Sequence, residues 1–144
     1  MTEKNYKLIV DGKPPKKHGE KSMWNQKTEA ERLITLRKHA KEKLGDDKPL
    51  SGNIKLEITV FLPDNKTDKG DLDNFITGIC DGLMNAHKYA HIHEEFKKKE
   101  NNDIHPKEFK MITDDSHVMS ICAKKIIKSN CETRYEVTIS GVSE

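Results

Sequence analysis

No stretch of this chain is apolar for the roughly 20 residues a membrane-spanning helix requires, so a transmembrane role is not expected. Paired cysteines are missing too. The three present, Cys80, Cys122 and Cys131, are odd in number, lack zinc-site spacing and follow no recognisable secretory leader, which points to a reducing, cytoplasmic setting. Charge of one sign is scarce: 26 Lys and Arg oppose 24 Asp and Glu, for a net charge of +2 at pH 7. A balance this even does not by itself identify a polyanion partner, and any nucleic-acid contact must be argued from where the lysines lie. The chain has no internal repeat. Around its most acidic motif Gly70 stands alone, so a glycine-rich turn cradling a phosphate is also absent.

The pattern that is present predicts one α/β domain over residues 1–144. Charged residues make up 35% and hydrophobic residues 33%, which predicts a modest core with long solvated edges. Residues 6–10 read as a short strand running into Lys13-Pro14-Pro15-Lys16-Lys17, where prolines bar both strand and helix. These lysines, with Lys21, are either a solvated loop or a basic arm for phosphates. Trp24 is expected to anchor the loop to the core. Asn25 or Thr28 can cap a helix that runs to about Leu44 and stops at Gly45. Ile54, Leu56, Ile58, Val60 and Leu62 alternate with Lys55, Glu57 and Thr59, so residues 54–62 form a strand with one buried face. Pro63 ends it.

Next comes Lys69-Gly70-Asp71-Leu72-Asp73-Asn74, opening a helix whose apolar face is Phe75, Ile76, Ile79, Cys80, Leu83 and Met84 and which is expected to continue through His87. Two readings of Asp71 and Asp73 stand side by side. Either carboxylate can cap the helix and favour its positive dipole end. Alternatively, clustered carboxylates repel, and an oxygen-only set suits Mg²⁺ or Mn²⁺. A second acidic pair, Asp114-Asp115, precedes another strand-like run at 118–127, which has apolar residues on both faces and reads as a central strand. Tyr135, Val137 and Ile139 then alternate with polar residues after a turn at 129–133, predicting a hairpin. The expected sheet is mixed and four-stranded, with two main helices packed on it.

Pro63-Asp64, Lys69, Asp71-Leu72-Asp73-Asn74, Asp81-Gly82-Leu83 and Asp114-Asp115-Ser116-His117-Val118 together resemble the RusA family of Holliday-junction resolvases. The likeness is strong in the second half of the chain and rests on the order of elements in the first. It implies a metal-dependent endodeoxyribonuclease that cuts four-way DNA junctions in recombination and repair, leaving a 5′-phosphate and a 3′-hydroxyl. Asp71, Asp73 and Asp115 would be its catalytic metal ligands for Mg²⁺ or Mn²⁺, with Asp114 as a fourth or supporting group. Lys13, Lys16, Lys17, Lys66 and Lys69 would contact branched DNA, and paired cuts imply a homodimer.

Two departures from the family stand out. The family carries a lysine three residues after its Asn where this chain has Thr77, so Lys69, Lys66 or a lysine further along would have to supply that charge. Residues at about 88–110 form a polar insertion, and His91 and His93 within it, with His87 just before it, read as solvated surface rather than as a zinc site. A metal-dependent nucleotidyl or glycosyl transferase and a non-cleaving junction- or duplex-binding module are the alternatives to a nuclease.

Overall fold

The computed structural model describes residues 2–17, 22–64 and 71–143. In chain order these form β1 (Thr2–Asp11), α1 (Lys27–Leu44), β2 (Leu50–Leu62), α2 (Leu72–Gly82), β3 (Val118–Ile127) and β4 (Arg134–Ser143). Single 3-10 turns lie at Met23–Asn25, Glu94–Lys97, Lys99–Ile104 and Asp115–His117. The α/β class and the mixed four-stranded sheet are as expected. Strand order is β1-β4-β2-β3, with β2 and β3 parallel and the other two pairings antiparallel.

That order overturns the expected hairpin. β4 does not pair with β3 but lies between β1 and β2, so the connection at 128–133 carries the chain past β2. The β2-α2-β3 segment is a parallel crossover, the arrangement that a helix between strands allows and a short loop does not. β4 takes the centre because Tyr135, Val137 and Ile139, each 0% exposed, form a fully apolar face that needs helices above it. β3 is an edge strand rather than a covered central one. Its Met119 and Ile121 are exposed, and Lys124 and Lys125 help keep the open edge from pairing with other chains. The opposite sheet face is polar and solvated. There Lys7 pairs with Glu136 at 3.2 Å, and Arg134 lies 4.3 Å from the Phe61 ring centroid.

Strand β2 starts earlier than its alternation suggested, at Leu50, through an irregularity in which Gly52 and Asn53 take positive φ. Helix α1 starts at Lys27 with Gln26 at its cap, and neither Asn25 nor Thr28 caps it. Asn25 instead belongs to a 3-10 turn whose Ser22 side chain accepts from Trp24 N. Gly45 ends α1 as expected, at φ 57°, with its N–H donating to the Lys41 carbonyl.

Helix α2 stops at Gly82, short of His87, because its final carbonyls are taken by other partners. Gly82 O and Met84 O each accept from Arg37 Nη1 at 2.8 Å, and Leu83 O accepts from Met111 N at 2.8 Å and Ile112 N at 3.1 Å. Arg37 is 0% exposed and uses all its donors: Nε bonds Ile104 O at 3.0 Å, and Nη2 bonds His105 O at 2.9 Å and Phe109 O. Burial pulls its pKa down to about 9, so it stays charged at neutral pH. The polar segment after α2 is thus folded around a cation of α1. Trp24 is buried as expected. It joins Met23, Ala30, Leu33, Ala86 and Phe96 in a second apolar cluster beside the main core.

Candidate active site

Helix α2 sits directly after β2, so its first turn lies beyond the carboxyl end of that strand. Asp71 occupies the N-cap position with extended backbone (φ −71°, ψ 152°) yet makes no capping hydrogen bond through its side chain. The capping explanation therefore does not hold for Asp71, whose carboxylate is exposed along with that of Asp73 in the first turn. Residues four apart on a helix share a face. Asp73, Thr77 and Asp81 therefore line one side of α2, with Cys80 next to Asp81. Thr77 donates its hydroxyl to the Asp73 carbonyl at 3.0 Å and is committed to the helix itself.

Asp115 reaches this face by a different route. Residues 111–113 return beside the start of β2, where Leu50 N donates to Met111 O at 2.8 Å and Thr113 N to Leu50 O at 3.0 Å. The 3-10 turn Asp115–His117 follows. Asp114 is its cap, accepting from Ser116 N at 3.0 Å, and this bond, aided by the Asp115 side chain, holds the Asp114 carboxyl below its ordinary pKa. The strand expected straight after Asp115 is thus preceded by a turn, which Asp114 rather than Asp115 caps. His117 fixes the turn from its other end: its Nδ1 accepts from Gly52 N at 3.4 Å and lies 3.0 Å from the Thr113 hydroxyl.

Asp115 then lines a cleft of about 270 Å³ with Ile76, Thr77, Cys80, Asp81, Val118 and Ile121. Burial raises the pKa of Asp81; Lys17 opposes that rise and the Asp115 charge adds to it. Cys80 is pushed up to about 11, first by burial and then by Asp81 and Asp115, so its thiol stays protonated and is no nucleophile at neutral pH. Asp115 therefore faces the middle and end of α2, whereas Asp73 lies about 12 Å along the helix from Asp81 by helical rise. Among the described residues, no three His, Cys, Asp or Glu side chains are gathered closely enough to hold a metal ion. That includes His87, His91 and His93. His87 and His93 use Nδ1 to accept from Tyr89 N at 3.2 Å and Glu95 N at 3.1 Å.

The basic loop is a docked strap rather than a free arm. Pro14 and Pro15 are buried, Lys16 N donates to Glu29 Oε1 at 3.0 Å, and Lys17 N donates to Asn74 O at 3.3 Å. The strap crosses α2 at Gly78, where a Cβ would lie 2.8 Å from Lys16 N and closer still to the Pro15 carbonyl. Lys17 Nζ reaches Asp81 Oδ2 at 3.7 Å. Lys66 and Lys69, like Lys21, lie outside the described residues. In the insertion, Lys98 pairs with Glu95 at 2.8 Å and Lys88 lies over the Tyr89 ring. Sequence reading assigned Asp81 no part in the site, although its spacing from Asp73 and Thr77 was a usable signal.

The family profile described as Endodeoxyribonuclease RusA matches residues 6–91, more than half of the chain, running from within β1 through the strap, α1, β2 and α2 and ending before Asp114. No curated protein matches the chain.

Proposed function

The chain belongs to the RusA family of endodeoxyribonucleases, which act at Holliday junctions; from that premise we propose that it resolves four-way DNA junctions by metal-dependent phosphodiester hydrolysis. Asp71, Asp73 and Asp115 would hold Mg²⁺ or Mn²⁺; they are not gathered into one ligand set in this structure, so binding would have to draw Asp115 and the first turn of α2 together. One observation above all supports this reading: a helix-borne acidic face opens at an Asp71 with no side-chain capping bond, and at the far end of that face Asp81 shares a cleft with Asp115. The donors are carboxylate oxygens, exposed at Asp71 and Asp73 and suited to a hard divalent ion. Burial is the main cause of the raised Asp81 pKa, and the Asp115 charge adds to it, a like-charge repulsion that a nearby cation would relieve. The chemistry such an ion supplies is Lewis acidity, which offsets charge developing on the phosphoryl oxygens and acidifies water for attack.

The chain's own residues do the rest. Asp114 keeps the 115–117 turn in place so that Asp115 points at α2. Lys13, Lys16 and Lys17, on a strap with buried prolines, meet phosphates at little ordering cost. Segment 88–110 acts as an insertion in a single nuclease domain, buttressing α1 from outside the cleft. Two symmetric cuts require two such sites related by a two-fold axis, so the working form is a homodimer. Free thiols at Cys80, Cys122 and Cys131 suit the cytoplasm, where recombination and repair of DNA would take place.

The test is cleavage of a labelled four-way junction with and without Mg²⁺. Symmetric nicks that need the ion are expected. Asp73→Asn should abolish cutting while junction binding stays equal or tightens, because losing a ligand charge also lessens repulsion of phosphate. A fully active Asp73→Asn protein would remove the metal site from this mechanism.

A further inference from the structure

We propose that Lys17 is a catalytic residue of this chain: its ammonium contacts the phosphate being cleaved, and Asp81 is the carboxylate on which it rests until DNA arrives. The proposal builds on the nuclease reading above. Its starting point is a deficit on α2. Between Leu72 and Gly82 the helix carries Asp73 and Asp81 but no lysine or arginine, and Thr77, midway between the two acids, has its hydroxyl bonded to Asp73 O. A phosphodiester laid along this face toward Asp115 meets negative charge throughout. Lys17 is the only lysine or arginine among the described residues lining the two clefts that share Asp81.

The fold delivers Lys17 rigidly at its backbone and loosely at its tip. The Lys17 amide bonds Asn74 O, within the first turn of α2, and the preceding Pro15 carbonyl packs onto Gly78, so the strap cannot slide along the helix. At the tip, the 3.7 Å separation from Asp81 is beyond hydrogen-bond length, and the two side chains remain 55% and 32% exposed. A pair this open is weak, and a phosphate oxygen can displace the carboxylate at small cost. The four-carbon stem then lets the charge swing from Asp81 toward the centre of the acidic face while the backbone stays docked. Lys17 acts by charge, favouring the more negative transition state over the bound substrate.

Single-turnover cleavage at saturating protein separates this role from simple DNA affinity. Lys17→Met is expected to cut about 100-fold more slowly, with junction affinity lowered less than about fivefold. Lys17→Arg should recover most of the rate, and Lys38→Met, on the exposed side of α1, should match the wild type. The decisive variant is Lys17→Met combined with Asp81→Asn. If Lys17 merely neutralises Asp81, removing the acid restores cleavage; if it contacts the phosphate, the loss persists. Restoration in the double variant, or a Lys17→Met protein as fast as a wild type that does cut, overturns the assignment. A wild type that binds the junction with Mg²⁺ and never cuts it overturns the nuclease reading and with it any catalytic role for Lys17.

Discussion

Arg37 shows how one side chain can decide the course of a long polar segment. Its guanidinium has five N–H donors, and each meets a backbone carbonyl, from Gly82, Met84, Ile104, His105 and Phe109. No carboxylate is among these partners. The charge is solvated by peptide dipoles and lies between the Trp24 and Phe109 rings, 5.2 Å from each centroid. Arg37→Met would leave those carbonyls without their donor in a buried place, at a cost of about 1 to 3 kcal/mol for each one that water cannot reach. We expect a total loss of at least about 3 kcal/mol, read as a lower urea midpoint with an unchanged slope. Amide hydrogen exchange should speed up first in segment 85–109. A variant as stable as the wild type would mean that the carbonyls find other donors.

At the scale of elements, the placing of Lys17 beside Asp81 depends on how the 13–17 strap meets α2. Gly78 is helical and its φ is unremarkable, so it is not needed for backbone freedom; it is needed because the strap's backbone occupies the space of a Cβ. Gly78→Ala sets two effects against each other. Alanine favours the helix by about 1 kcal/mol, while the clash with Pro15 and Lys16 costs about 1 to 3 kcal/mol unless the strap lifts. Lifting is the cheaper outcome, since residues 13–17 belong to no helix or strand. The expected result is nearly unchanged global stability, lost exchange protection at the Lys17 amide, and slower junction cleavage. Normal protection at that amide would show that the strap tolerates the methyl group and that the close approach is not what holds it.

For the whole molecule, a net charge of +2 leaves junction binding to local features. Replacing Lys13, Lys16 and Lys17 together by methionine should weaken junction binding and lower the slope of log affinity against log salt by about one unit for each phosphate no longer neutralised. Affinity measured at several salt concentrations gives that slope, and an unchanged value would return the strap to solvated surface. The acidic face of α2 must be approached by DNA at the same time. In the proposed mechanism cations have to stand beside the acids, and the strap, by crossing α2, puts Lys17 beside Asp81.

Much of this could be read from local pattern. Alternation in 54–62 and 135–139 identified two strands and the buried side of each, Gly45 marked the end of α1, and Asp71-Leu72-Asp73-Asn74 stood at the junction of strand and helix. Period-two patterning reports which face of a strand is covered but says nothing about its neighbour. That is why β4 was expected beside β3, when only the packing of helices over Tyr135, Val137 and Ile139 places it at the sheet centre. The end of α2 was illegible for a similar reason: its last carbonyls are claimed by Arg37 and by residues 111–112, partners that no local signal encodes. The same holds for the site. Acids eight residues apart on one helix face are written in the sequence, but the meeting of Asp81 with Asp115 and Lys17 required a crossover and a docked loop, because side chains 34 and 64 positions away come together only when the intervening chain has folded.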